Sequence, residues 1–113
     1  MVQKRSLLAP TKKQLDSVIM EKIKRRRRQI MVHSLIYYRM GTNLIDDKTF
    51  DKWAYELVDL QKKYPEESKE VELYDDFKDW DGSTGFNLNY FPFWHIAERL
   101  LNYRRTVDEH SKV

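Results

Sequence analysis

Cysteine is absent from the 113-residue sequence, which excludes disulfides, thiol catalysis and cysteine-ligated metals. The absence also fits a reducing cytoplasm. No apolar run approaches the ~20 residues that span a bilayer, and the N-terminal segment lacks the long apolar stretch of a secretory signal. These absences predict a soluble, cytoplasmic protein.

Several motifs that carry enzyme chemistry are also missing. The sequence has no glycine-rich phosphate loop, no cluster of zinc ligands and no serine–histidine–aspartate set. Its three histidines, His33, His95 and His110, are scattered, and each is expected to be structural or solvated rather than catalytic. The sequence therefore predicts no metal site and no catalytic residues.

Length and composition predict a single domain, residues 1–113, because one core typically serves about 100–200 residues. Hydrophobic residues make up 41% of the chain and aromatic residues 13%, enough to bury a core without metal or disulfide support. The net charge is +3, but cations crowd the first third and acids crowd residues 66–81. Either the two segments pair within the fold, or they attract a charged partner.

Helical periodicity covers the first part of the chain. Thr11 and Gln14 have the spacing of a capping box, which predicts that a helix begins there. Gly41 provides a stop after about Met40. The apolar stripe between these points consists of Leu15, Ile19, Ile23, Ile30 and Tyr37.

A second helix follows a short loop and is the clearest amphipathic segment. Asp46 or Asp47 can cap it, and Pro65 ends it because the residue before a proline disfavours helical geometry. Its apolar face consists of Phe50, Trp53, Ala54, Leu57, Leu60 and Tyr64. Together the two helices predict a hairpin over residues 11–64.

The remaining sequence, residues 66–105, predicts an acidic helix, a turn-rich loop over residues 81–89 and a last helix from about Phe91. The acidic helix should point Val71, Tyr74 and Phe77 inward. The polar tail after Arg105 is expected to fray. The expected fold is an all-α, small helical bundle with an N-terminal antiparallel helical hairpin and one longer loop.

The bend of the hairpin carries a specific pattern of aromatic and acidic residues. Its parts are His33, Tyr37-Tyr38, Ile45-Asp46-Asp47, Phe50-Asp51, Glu56-Leu57 and Tyr64-Pro65-Glu66. Over about thirty-five residues without a gap, this pattern resembles the N-terminal helical domain of NAD-dependent DNA ligases, which recognises the nicotinamide half of NAD. The resemblance covers less than half of the chain.

The resemblance implies a nicotinamide-nucleotide site formed by His33, Tyr37, Tyr38, Asp47, Phe50 and Asp51. An oxidised nicotinamide is a flat cationic ring, so a face of Tyr37 or Tyr38 can stack on it. Asp47 and Asp51 share one side of the second helix and can offset the charge or accept from ribose hydroxyls. In the alternative interpretation, the aspartates only favour a helix N-terminus and the aromatic rings belong to the core.

Two departures from the ligase pattern are visible. Phe50 stands where the family has tyrosine, and Gly41-Thr42-Asn43 replaces a loop that usually contains proline. The adenylation motif Lys-x-Asp-Gly is missing, because Lys78 lies one position too far from Asp81-Gly82. The missing motif predicts a non-enzymatic protein, and the ligase resemblance implies recognition of NAD or nicotinamide mononucleotide.

The hairpin, the acidic helix and the segment DGSTGF also resemble small proteins carried by phages of Gram-positive bacteria. That resemblance implies a viral origin, a host cytoplasm and an alternative role as an inhibitor of a host protein, such as a defence nuclease. Trp80, Phe91 and Trp94 lie in an aromatic-rich segment that either completes the core or forms the interface with such a partner.

A run of basic residues lies in the first predicted helix and has two interpretations. It consists of Lys22, Lys24, Arg25, Arg26, Arg27 and Arg28. Successive helical residues point about 100° apart, so Arg26 or Arg27 must lie near the apolar stripe, and the run can dock on the acidic helix. Alternatively, the run contacts phosphates and gives sequence-independent nucleic-acid binding.

Overall fold

The computed structural model describes residues 14–111. Its α-helices are α1 (Ser17–Arg39), α2 (Asp47–Lys63), α3 (Pro65–Glu70), α4 (Tyr74–Phe77) and α5 (Trp94–Ser111). A 3₁₀ turn, Phe91–Phe93, leads directly into α5. Residues 14–111 contain no strand, and the predicted all-α class is confirmed.

Helix α1 begins at an aspartate cap. The side chain of Asp16 accepts from the backbone N–H groups of Val18 and Ile19 at 2.9 and 3.2 Å, which satisfies two of the donors that a helix start leaves free. The predicted cap at Thr11 lies outside the described residues, but residues 14–16 are not helical, so α1 begins later than predicted. At the other end, Gly41 has φ +71°, a conformation that glycine adopts without strain, and the predicted stop is confirmed.

Helices α1 and α2 form the predicted antiparallel hairpin. Asp46 is the cap of α2 and accepts from the backbone N–H of Thr49 at 2.8 Å. The two helices are antiparallel. Arg27, in the middle of α1, donates to Gln61 near the end of α2, whereas the last turns of α1 lie beside the start of α2. The hairpin therefore brings the aromatic doublet and the spaced aspartates together.

The prediction of one acidic helix is wrong, because this segment forms two short helices, α3 and α4. Between α3 and α4, Val71 is extended and Leu73 has φ +68°. The cause is Arg27, whose guanidinium donates to the carbonyl oxygens of Ser68, Val71 and Glu72 at 2.9–3.1 Å. A continuous helix would direct those carbonyl oxygens along its own axis. Val71 and Phe77 are nevertheless buried as predicted.

The last helix is longer than predicted. α5 extends to Ser111, six residues past the Arg105 after which the tail is predicted to fray. Local pairs support this exposed end, including an ion pair between Arg104 and Asp108 at 3.8 Å. Ala97 is fully buried on the inward side.

The hydrophobic core lies around α1. It consists of Ile23, Ile30, Met31, Val32, Leu35, Ile36, Ala54, Leu57, Val71, Phe77, Tyr90, Phe93 and Ala97. Across the part of the chain that the structure describes, no helix combines the length and apolar character needed to cross a bilayer.

Candidate functional site

A cavity of about 280 Å³ lies at the bend of the hairpin. Its walls come from the last turns of α1, the α1–α2 loop, the start of α2 and the loop that follows α4. It is lined by His33, Ser34, Tyr37, Tyr38, Asn43, Leu44, Ile45, Asp46, Asp47, Phe50, Asp51, Ser83 and Thr84. All six residues that the ligase resemblance assigns to a nicotinamide site are among them.

Helical spacing explains why α1 presents four side chains to this cavity. His33 and Tyr37 are four residues apart, as are Ser34 and Tyr38, so each pair stacks along one side of the helix. Ser34 was not predicted from the sequence. A small polar residue within an apolar stretch gives no signal of a pocket until the opposite wall is known.

Two free carboxylates border the cavity on the α2 side. Asp47 and Asp51 are exposed, and among the described residues neither has a hydrogen-bond or ion-pair partner. Asp46 differs, because its hydrogen bonds with the side chain and backbone of Thr49 hold the pKa of that carboxyl below its usual value. Asp46 therefore serves the helix cap, and Asp47 and Asp51 remain available to a ligand.

Aromatic rings form the opposite side of the cavity. Tyr37 meets Tyr38 edge-on at 4.9 Å between ring centroids, and Tyr38 meets Phe86 in the same way at 5.2 Å. Tyr38 is fixed further by a 2.8 Å hydrogen bond between its hydroxyl and Oγ1 of Thr84. Tyr37 is 56% exposed, so its ring is accessible to a stacking ligand, whereas Tyr38 mainly holds the wall in place.

Two residues that line the cavity carry a buried polar atom without a partner. Nδ1 of His33 and Oγ of Ser34 are buried, and neither has a hydrogen-bond partner among the described residues. Burial lowers the pKa of His33, so its imidazole is neutral near pH 7. The ring also packs edge-on against Trp53 at 5.4 Å. Unpaired buried polar atoms are uncommon, and both belong to residues that line the cavity.

The loop over residues 81–89 forms the fourth wall. Asp81 accepts from the backbone N–H and the hydroxyl of Ser83 at 2.9 and 2.7 Å, and these bonds lower the pKa of Asp81. The indole N–H of Trp80 donates to the carbonyl oxygen of Thr84 at 2.7 Å. Hydrogen bonds therefore hold Ser83 to Asp81 and Thr84 to Trp80 at the edge of the pocket.

Gly85 fixes the distance between this loop and α1. A Cβ at position 85 would collide with Oγ of Ser34 and lie 2.8 Å from its Cβ. Gly85 is buried, and its backbone φ is not in the left-handed region, so the requirement for glycine is steric. The contact between Gly85 and Ser34 closes the pocket on the loop side.

The predicted basic run does not join the pocket. Lys22, Lys24 and Arg25 are exposed. Arg26 pairs with Glu56 at 2.7 Å, and Arg28 pairs with Glu72 at 2.8 Å. These ion pairs are partly exposed and hold the guanidinium groups against the protein surface.

Arg27 is the fully buried member of the run. Five hydrogen bonds surround its guanidinium, with partners Gln61, Ser68 (twice), Val71 and Glu72. Burial lowers the pKa of Arg27 to about 10, and the side chain is still charged at pH 7. Two members of the run therefore dock on the α3–α4 segment, Arg27 mainly through backbone carbonyl oxygens and Arg28 through the carboxylate of Glu72.

The three residues predicted as a protein interface occupy different environments. Trp80 packs edge-on against Phe77 at 5.2 Å and is half-buried. Trp94 is also half-buried, against the core. Phe91 is 51% exposed and packs against Tyr90. Only Phe91 presents a large apolar surface to solvent.

Comparison with curated proteins finds DNA ligases that match a segment of this chain. The DNA ligase of Pseudothermotoga lettingae is 38% identical over 48 residues, which is 42% of this chain and 7% of the ligase. The ligase of Thermosipho africanus is 39% identical over 46 residues, 41% of this chain. The ligase of Petrotoga mobilis is 40% identical over 48 residues, 42% of this chain. The matched segment is 7% of the Thermosipho africanus ligase and 7% of the Petrotoga mobilis ligase.

No protein-family model matches the chain, and no solved structure matches it significantly. The chain thus contains a segment related to DNA ligases that corresponds to a small part of each enzyme.

Proposed function

We propose that the pocket at the bend of the hairpin binds nicotinamide mononucleotide, either free or as half of NAD. One observation carries this proposal. Six residues spread over positions 33–51, which the ligase resemblance assigns to nicotinamide recognition, all line one cavity. The similarity of a segment of this chain to DNA ligases supports the same assignment.

The lining suits the chemistry of an oxidised nicotinamide nucleotide. The exposed ring of Tyr37 can stack on the cationic nicotinamide. The free carboxylates of Asp47 and Asp51 can accept hydrogen bonds from ribose hydroxyls and offset the positive charge. A neutral His33 adds no repulsion. Phe50 contributes an apolar wall without a hydroxyl.

We also propose that the 113 residues act without catalysis of their own. The nearest counterpart of the ligase adenylation motif has the wrong spacing, since Lys78 precedes Asp81 by three positions instead of two. A covalent adenylate requires that lysine to be placed at a nucleotide phosphate. Recognition without group transfer is therefore the activity assigned to the pocket.

Calorimetric titration with nicotinamide mononucleotide tests the proposal. Wild-type protein should bind saturably, and Asp51→Asn should weaken binding by about tenfold, the effect of losing one charge-assisted hydrogen bond. Asp75→Asn is the matched control, because Asp75 is exposed and lies outside the pocket; its affinity should equal that of the wild type. Absence of binding to the wild type, or equal affinity for Asp51→Asn and wild type, would overturn the assignment.

Inhibition of a host protein is the second candidate function. The observation that favours it is the exposure of Phe86 and Phe91, at 49% and 51%, since aromatic residues are enriched at the centres of interfaces.

Nucleic-acid binding is supported by fewer basic residues than the sequence predicts, because Arg26, Arg27 and Arg28 are engaged within the fold. Lys22, Lys24 and Arg25 remain for phosphate contact.

A further inference from the structure

A surface patch beside the pocket combines one arginine with three aromatic rings. Cζ of Arg39 lies 5.4 Å from the ring centroid of Phe86, 5.9 Å from that of Tyr90 and 5.4 Å from that of Phe91. Nε of Arg39 also donates to the hydroxyl of Tyr90 at 3.0 Å. These contacts hold the guanidinium in one position at the end of α1. We call these four residues the Arg39 patch.

Arg39 is exposed and has no carboxylate partner among the described residues, and unlike Arg25, which is also exposed and unpaired, it is held in place by aromatic rings. Arg26 and Arg28 form ion pairs, and Arg27 is buried against backbone carbonyls. An oriented, exposed guanidinium without a carboxylate can bind a phosphate with two parallel hydrogen bonds.

The Arg39 patch is continuous with the pocket. Tyr38 lines the cavity and contacts Phe86 at 5.2 Å, and Phe86 in turn lies against Arg39. The exposed halves of Phe86 and Phe91 offer apolar faces on which a base can stack. A ligand that extends out of the pocket past Tyr38 would meet the cation and these rings next.

The size of the pocket makes such an extension necessary for a dinucleotide. Its volume of about 280 Å³ falls just below the ~300–1,000 Å³ of sites that enclose drug-sized ligands. A dinucleotide has roughly twice the bulk of one nucleotide, so its second half must lie outside the cavity. Asp47 and Asp51 make the α2 side unfavourable for a pyrophosphate, whereas the Arg39 side attracts one.

We infer that the Arg39 patch binds the adenylate half of NAD while the nicotinamide half occupies the pocket. Arg39 contacts the phosphate that belongs to the adenylate half, and the adenine stacks on Phe86 or Phe91. This inference rests on the proposed function, because it requires the nicotinamide half to be bound as described above. It assigns the dinucleotide, rather than the mononucleotide, as the preferred ligand.

The experiment compares three ligands by calorimetry on the full chain. NAD should bind about tenfold more tightly than nicotinamide mononucleotide, at the lower end of what one stacked base contributes. ADP-ribose, which lacks nicotinamide, should bind weakly but measurably. Arg39→Gln should move NAD affinity towards that of the mononucleotide, leave mononucleotide affinity unchanged and weaken ADP-ribose binding. Arg39→Lys should restore only part of the difference, since a lysine cannot form the bidentate contact.

The possible failures are distinguishable. If nicotinamide mononucleotide does not bind to the wild type, the proposed function itself is wrong, and this inference is lost with it. If the mononucleotide binds but NAD binds no more tightly, the pocket is correct and the Arg39 patch is not a nucleotide site. If Arg39→Gln weakens both ligands equally, Arg39 only supports the fold of the pocket, and the inference is overturned.

Discussion

Arg27 shows how one residue determines local structure far away in the sequence. Its side chain is fully buried, and its hydrogen bonds reach Ser68, Val71 and Glu72 across more than forty positions. Burying a guanidinium is costly unless each donor finds a partner. The backbone between α3 and α4 supplies these partners by leaving helical geometry.

Replacement of Arg27 should therefore destabilise the whole domain. Arg27→Met keeps much of the apolar stem but leaves several buried carbonyl oxygens unpaired, and the free energy of unfolding should fall by about 3–5 kcal/mol. Urea denaturation followed by circular dichroism measures this change. Arg25 lies two positions from Arg27, on the opposite side of the helix, and is exposed. Arg25→Met should therefore change stability by less than about 0.5 kcal/mol. Equal effects of the two substitutions would contradict the role assigned to Arg27.

At the scale of elements, the pocket depends on how the 81–89 loop is attached to the hairpin. Thr84 forms a hydrogen bond with the hydroxyl of Tyr38 in α1, and its carbonyl oxygen accepts from the indole N–H of Trp80. Gly85 packs on Ser34. The loop contains no helix, and these contacts are what fix its position. Its attachment adds a further wall to the bend of the two-helix hairpin and so forms an open pocket there.

Gly85→Ala tests this attachment. The added methyl group must displace the loop from Ser34, so the free energy of unfolding should fall by about 1–3 kcal/mol. Because the displaced loop also moves Ser83 and Thr84, the affinity for nicotinamide mononucleotide should fall as well. Thermal denaturation and calorimetry measure the two effects. The control is Asn87→Ala, which changes an exposed residue of the same loop and should alter neither the stability nor the affinity. If Gly85→Ala has the stability and affinity of the wild type, the loop adapts freely and its attachment does not depend on Gly85.

Helical elements were predictable where local signals agreed, and less so where distant contacts intervened. The cap of α2, its apolar face and its end before Pro65 are all encoded within about twenty residues of sequence. The break at Leu73 is not, because it depends on Arg27. The length of α5 was underestimated, since ion pairs such as Arg104–Asp108 support an exposed helix that carries few apolar residues.

The candidate site was predictable to a similar extent. His33, Tyr37, Tyr38, Asp47, Phe50 and Asp51 were identified because they belong to one contiguous pattern. Ser34, Ser83 and Thr84 were missed as pocket residues, because the two walls that they form are separated by almost fifty positions. The Arg39 patch was missed for the same reason, since its aromatic rings come from a different segment than its arginine.

At the scale of the whole molecule, much of the charge asymmetry is resolved within the fold. Arg26, Arg27 and Arg28 face α2 and the acidic segment, which leaves a smaller basic surface at Lys22, Lys24 and Arg25. The opposite end of α1 carries the pocket, with its free carboxylates, and the Arg39 patch. The molecule therefore has two separate charged regions, and the proposed function uses only the one at the hairpin bend.

The most direct test is a ¹⁵N–¹H correlation spectrum recorded during titration with nicotinamide mononucleotide. Saturable shifts should concentrate in residues 33–51 and in the 81–89 loop, while the amides of residues 22–28 should not respond. Shifts confined to residues 22–28, or none up to the highest soluble ligand concentration, would contradict nicotinamide recognition at the bend.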